Sequence, residues 1–161
     1  MKRIYIALTA ALASMTGVLA IASAQAGTSP AQASTPAHAS RATEVVLRHT
    51  HLGAVLADAS GFTLYEFTRD RGDSDSCAKV SGCLHVWPAL QSSGKPKAGS
   101  GMRASLLSTI KLSGGASQVT YAGHPLYLYS GDSAPGDTSY VGVSEFGGSW
   151  YAIDAAGGAV K

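Results

Sequence analysis

Gly61-Phe62-Thr63-Leu64-Tyr65-Glu66-Phe67-Thr68-Arg69-Asp70 and Gly123-His124-Pro125-Leu126-Tyr127-Leu128-Tyr129-Ser130-Gly131-Asp132 are one unit written twice, 62 positions apart. Gly, Leu, Tyr and Asp coincide, and Phe67 falls opposite the aromatic Tyr129. Trp87 and Trp150 follow their motifs at nearly the same distance, one residue out of step. Equal side-chain patterns on equal strands demand equal surroundings, so the repeat predicts a pseudo-twofold structure.

The flanking sequence reads as short strands broken by turns. Val45 to Arg48 and Gly53 to Asp58 are strand candidates; Ala59-Ser60-Gly61 is a turn, and Phe62 to Phe67 returns. In the second copy Gln118 to Tyr121, the turn Ala122-Gly123-His124 and the return Pro125 to Tyr129 repeat the pattern. Leu106 to Leu112 is a further strand, followed by the turn Ser113-Gly114-Gly115. Ser100 to Thr109 is the candidate for a single short helix. The expected fold is therefore mainly β: a small, duplicated, antiparallel unit with pseudo-twofold symmetry and at most one short helix, its repeat copies spanning about 52–90 and 116–157. Each copy alone has too few strands to bury its aromatic face, so the two are expected to share a core.

Outside this domain the composition changes twice. Met1-Lys2-Arg3, the uncharged apolar run Ile4 to Ala24 and the small-residue exit Ala24-Gln25-Ala26 read as a signal peptide, residues 1–26. Residues 27–43, rich in Ala, Ser, Thr and Pro, read as a flexible linker. The folded domain is assigned to 44–161, in a chain exported to the periplasm or exterior, with no stable membrane span after cleavage. The whole chain is 45% hydrophobic and 14% charged, which excludes a disordered protein or a coiled coil. Removing Lys2 and Arg3 leaves basic and acidic residues in balance, which argues against nucleic acid as a partner.

These residues resemble a bacterial family of secreted repeat proteins, usually predicted lipoproteins, known by a Tyr-x-(Phe/Trp/Tyr)-x-x-Asp motif. The likeness rests on Gly61 to Tyr65 with Asp70, on Cys77, Cys83 and Trp87-Pro88-x-Leu90, and on Gln118 to Tyr127 with Asp132, Pro135-Gly136-Asp137 and Trp150-Tyr151. Two departures stand out: the family's lipid-attachment cysteine is absent, which argues against a lipid anchor, and Gly114-Gly115 replaces an Asp-Gly turn. The resemblance implies a compartment and no biochemical mechanism.

Two cysteines, Cys77 and Cys83, occur in the chain. In an exported protein a disulfide is the default, worth roughly 2 kcal/mol for so short a loop; a metal pair or a redox dithiol is the weaker alternative. On a strand, alternate residues share a face, so Tyr65 with Phe67, and Tyr127 with Tyr129, form aromatic stripes that each end at an aspartate, Asp70 and Asp132. These six residues are candidate binding groups, because aromatic faces beside a carboxylate suit sugars, cations or peptides. The preferred reading is structural: packed core stripes, with each aspartate accepting from turn N–H groups. Trp87 and Trp150 are read as core residues or hairpin clasps. Asp70 to Asp75 lacks the spacing of a calcium loop and reads as a solvated turn. His49 and His51, with His85 and His124 as further candidates, form the only hint of a metal site. No nucleophile elbow, zinc-protease helix or phosphate loop appears, and no cofactor is implied. The function expected from sequence is a non-enzymatic binding or cell-envelope module for an envelope component or a small ligand. A metal- or redox-linked protein and a hydrolase are the alternatives.

Overall fold

The computed structural model describes residues 42–72 and 74–161. The expected signal peptide, and the expected linker up to residue 41, lie outside the described residues, as does Asp73. The fold is mainly β, as the repeat predicts. The hairpin of β1 (Glu44–Thr50) and β2 (Gly53–Asp58) opens the chain, and β3 (Tyr65–Phe67) carries the first motif. A one-turn helix α1 (Cys83–Val86) and a short strand β4 (Lys97–Ala98) follow. Then come β5 (Leu107–Lys111), β6 (Ser117–Tyr121) and β7 (His124–Pro125), and finally β8 (Ser144–Glu145), β9 (Gly148–Ile153) and β10 (Ala159–Val160).

The strands form three sheets, ordered β2-β1-β4, β10-β9-β3 with β8 beside β9, and β5-β6-β7. Pairing is antiparallel except for β1 with β4, a parallel contact of two residues and a departure from the expected all-antiparallel unit. Single bridges at Ala57–Thr63, Tyr65–Tyr127 and Ala89–Tyr127 involve the two motifs, and a fourth lies at Gln91–Gln118.

The leucine and aromatic faces of the motif strands define two cores. Leu64 and Leu126 enter one, with Val45, Leu56, Leu90, Val119 and Ile153. Tyr65, Phe67 and Tyr127 enter the other, with Trp87, Trp150 and both cysteines. Each core draws on both repeats, so the expected sharing holds, but the motif strands divide the shared interior in two because both their faces are covered. Gly61 and Gly123 hold the same place before each motif and both adopt positive φ, +88° and +85°. At Gly61 a β-carbon would also crowd Pro135 Cβ at 3.1 Å, and the positive φ itself disfavours other residues there.

Two expectations are corrected. Ser100 to Thr109 is no helix: Ala104–Leu106 makes one 3-10 turn, and Leu107–Lys111 pairs residue by residue with β6 across the Leu112–Ala116 turn. Hairpin pairing with β6 outweighs a weak local helix preference. The helix lies instead just past the cysteine loop, where Gly82 at φ +79° precedes α1 and Cys83 is its first residue. Phe62 to Phe67 is likewise no continuous partner of β2. It leaves that strand after Leu64, whose N–H reaches Leu56, and β3 continues beside β9.

Candidate functional site: the interlocked tyrosine–aspartate motifs

Tyr65 and Tyr127 face each other across the pseudo-twofold. The Tyr65 N–H donates to the Tyr127 carbonyl at 2.9 Å, and the Tyr127 N–H returns the bond at 3.0 Å. Both side chains are fully buried. Each phenol crosses to the other repeat. Tyr65 Oη donates to Asp132, at 3.1 Å from Oδ2. Tyr127 Oη lies 2.9 Å from Asp70 Oδ2 and 2.8 Å from Asp75 Oδ1. The motif is thus completed between repeats, not within them.

The aromatic face shows the same exchange. Phe67 of the first repeat stacks on Trp150 of the second, centroids 4.1 Å apart, and Tyr129 of the second lies 4.6 Å from Trp87 of the first. The two indoles meet face to face at 3.8 Å. Tyr65 meets Trp87 edge-on at 5.3 Å, and Tyr127 meets Trp150 edge-on at 5.2 Å. Such contacts contribute about 0.5–1.5 kcal/mol each beyond burial. Trp87 Nε1 donates to Glu145 Oε2 at 2.9 Å, whereas the buried Trp150 Nε1 has no partner. Tyr129 is only half-buried, in contrast to the fully buried Tyr65 and Tyr127, because its ring lies at the outer end of the stack against half-buried Tyr140, 3.6 Å away.

The carboxylates differ in role. Asp70 Oδ1 accepts the Ser76 N–H at 2.7 Å, the expected turn bond, while Asp132 takes the Tyr65 phenol and no turn N–H. In the second repeat Asp137 does the capping, accepting from Ser133 and Ala134 N–H groups at 2.8 and 2.9 Å. Asp75 caps Ala78 N–H at 2.7 Å and is 6% exposed, so the expected solvated turn is at this residue a buried one. Burial raises the Asp132 carboxyl to about 6, against the lowering effect of the Tyr65 hydrogen bond. Burial also raises Asp70, and burial with the adjacent carboxylates pushes both phenols far up. The capping bonds, led by that from Ser133 N–H, lower Asp137. On the leucine face, buried Glu66 pairs with His124 Nδ1 at 2.7 Å, and this bond raises the imidazole.

Cys77 and Cys83 form a disulfide packed against the aromatic core. The histidines do not converge. His49 is exposed on β1, His51 lies beyond its end with Nδ1 3.4 Å from Thr138 Oγ1, and His85 is exposed on α1. Among the described residues no group of three or more His, Cys, Asp or Glu side chains is arranged to hold a metal ion.

Sequence reasoning missed Asp75 and Asp137. Their signal was present: both follow their motif aspartate by five residues, so the repeated unit extends to Tyr-x4-Asp-x4-Asp. It also missed the hollow beside β5 and β6, lined by scattered residues that form no motif: Thr43, Ser92, Ser93, Lys95, Lys111 and Ser117.

Fold and site together define a duplicated β module whose repeats are locked by exchange of their motif side chains. The family model described as a secreted repeat of unknown function matches residues 46–91 and 108–154, and the chain belongs to that family. No curated protein and no solved structure matches the chain. No helix among the described residues is long and apolar enough to cross a membrane.

Proposed function

We propose that this protein is a non-enzymatic, extracytoplasmic binding module of the cell envelope, in which the repeated motif is the scaffold and the ligand is taken at the surface. The observation that carries this reading is the mutual use of the motif groups: the tyrosine of each repeat is buried and bonded to aspartate of the other. Groups held in this way support a rigid frame and present no open nucleophile beside a base.

A ligand-sized concavity supports the surface part of the proposal. A hollow of about 440 Å³ beside β5 and β6 adjoins a second of about 410 Å³, and Ser93, Lys111 and Ser117 line both. Such volumes suit a small polar ligand. Between Asp75 and Asp132 the sequence has no acidic residue but has Lys79, Lys95, Lys97, Arg103 and Lys111. Lysines among hydroxyls favour an acidic, hydroxylated chain such as a uronic-acid glycan.

The test is binding of oligogalacturonate and of a neutral dextran oligomer to the immobilised domain at low and high salt. The acidic oligomer should bind, weaken with salt, and be lost in the Lys95→Glu/Lys111→Glu double variant at unchanged melting temperature. Equal, negligible binding of both oligomers at low salt, or undiminished binding by the double variant, would sink the proposal.

A further inference from the structure

Counting hydrogens around Tyr127 leads beyond a scaffold. A phenol has one proton: it donates one hydrogen bond and accepts others. Tyr127 Oη lies within 2.9 Å of two carboxyl oxygens, Asp70 Oδ2 and Asp75 Oδ1. With both carboxyls ionised, one of these contacts is an oxygen pair with no hydrogen between, in an interior where such repulsion is poorly screened. Asp75 cannot turn away, since Oδ1 also takes the Ala78 N–H and the residue is 94% buried by its 6% exposure, with Oδ2 unpartnered. Asp70 is held through Oδ1 by Ser76 N–H, which leaves Oδ2 as the atom able to carry a hydrogen.

We propose that Asp70, Tyr127 and Asp75 form a proton-binding site: Asp70 Oδ2–H donates to the Tyr127 phenol, which donates to Asp75 Oδ1, and this single proton locks the cysteine loop of the first repeat onto the second. Loss of the proton places two negative charges on one phenol and loosens the loop from Asp70 to Cys83. The surroundings hold the proton without replacing it. His124 is engaged by Glu66, whose hydrogen bond chiefly raises the imidazole; the Asp70 charge raises it only slightly. Lys79 Nζ is turned to Ser74 Oγ, Arg71 to the Thr68 carbonyl and Arg69 to the Phe146 carbonyl. Lys111 lines a hollow with Asp75 but makes its hydrogen bonds to Gly115 and Ser117. Burial raises Asp70, in agreement with the geometry. A carboxyl raised in the folded state stabilises fully below its unfolded value, and that stability is lost as pH rises through the folded one. The second repeat has no such site, because one carboxylate meets Tyr65 there and the second acceptor is the Asp137 carbonyl, at 3.3 Å.

Asp70→Asn tests the proposal, since its amide N–H can take the place of the carboxyl O–H without titrating. The folding equilibrium constant of the wild type, divided by that of the variant, should fall as pH rises above about 4, by up to about tenfold per pH unit, and level off once the proton has left. In the wild-type protein, the carbon-13 shift of the Asp70 carboxyl should show it retaining its proton above the ordinary carboxylate range, a readout that holds even if the variant fails to fold. A pH-independent ratio, or an Asp70 carboxyl that titrates in the ordinary range, would overturn the inference. So would stabilisation of the wild type by millimolar calcium at alkaline pH that Asp70→Asn abolishes, since the site would then hold a cation.

Discussion

The loops that follow the two motifs solve the same problem differently. Both carry aspartates to a phenol of the other repeat and a tryptophan to the central stack. The first loop brings two carboxylates to Tyr127 and is closed by the Cys77–Cys83 disulfide. The second brings one carboxylate to Tyr65 and turns the other, Asp137, onto its own backbone, while Glu145 takes the Trp87 N–H. Aspartates accept backbone N–H groups in both loops, and the crowded, buried first loop has a covalent clamp in addition. A duplicated motif therefore conserves the cross-repeat link but not the electrostatics around it.

The largest effects should come from the shared stack, where the comparison predicts near-equality. Trp87→Ala and Trp150→Ala should each cost about 3–5 kcal/mol in urea unfolding. The Phe variants should separate them: Trp87→Phe leaves the Glu145 carboxylate without its donor and should cost about 1 kcal/mol more than Trp150→Phe, whose N–H has no partner to lose. Equal costs for the Phe pair would show that the Glu145 bond contributes nothing.

The tyrosines should differ next. Tyr127→Phe leaves two packed carboxyls without the phenol and should cost about 2–3 kcal/mol at neutral pH, against about 1 kcal/mol for Tyr65→Phe, whose partner Asp132 is half-exposed. Reduction of the disulfide should cost roughly 2 kcal/mol by the loop-closure estimate. In hydrogen exchange it should deprotect the first loop while leaving amides near Asp137 unchanged. Deprotection of both loops alike would mean that they are not independent.

The smallest predicted effect is in pH. The Asp132 carboxyl, raised to about 6, binds its proton more tightly in the folded state. Its contribution is therefore complete below the unfolded carboxylate value and disappears as pH rises through about 6. His124 acts with the same sign at higher pH, and Asp137, lowered, with the opposite sign in acid. Melting temperatures of the wild type and Asp132→Asn should diverge between about pH 4 and 6 and run parallel above that window. Parallel curves throughout would remove burial of Asp132 as a cause.

Much of this was legible in the amino-acid sequence. Period-two alternation at Leu64-Tyr65-Glu66-Phe67 and Leu126-Tyr127-Leu128-Tyr129 sorts residues onto two faces, and the structure places leucine and aromatic side chains in separate cores. The exchange of partners was not legible. Tyr65 precedes Asp70 as Tyr127 precedes Asp132, so pairing within and between repeats is identical in sequence, and only the antiparallel bridge between the tyrosines decides it. Asp75 was hidden for another reason. Among Asp70, Arg71, Gly72 and Ser74 its neighbours look solvent-facing, and its burial comes from Tyr127, 52 residues away. The short helix was misplaced because its start depends on Gly82 within a closed loop, a local constraint stronger than residue preference over so few positions.

The exchange itself is the central claim, and double-mutant cycles test it most directly. Tyr65→Phe should couple to Asp132→Asn by about 0.5–1.5 kcal/mol and be additive with Asp70→Asn within about 0.5 kcal/mol, with Tyr127→Phe showing the reverse preference for Asp70. Coupling of each tyrosine to the aspartate of its own repeat, with additivity across repeats, would contradict the account.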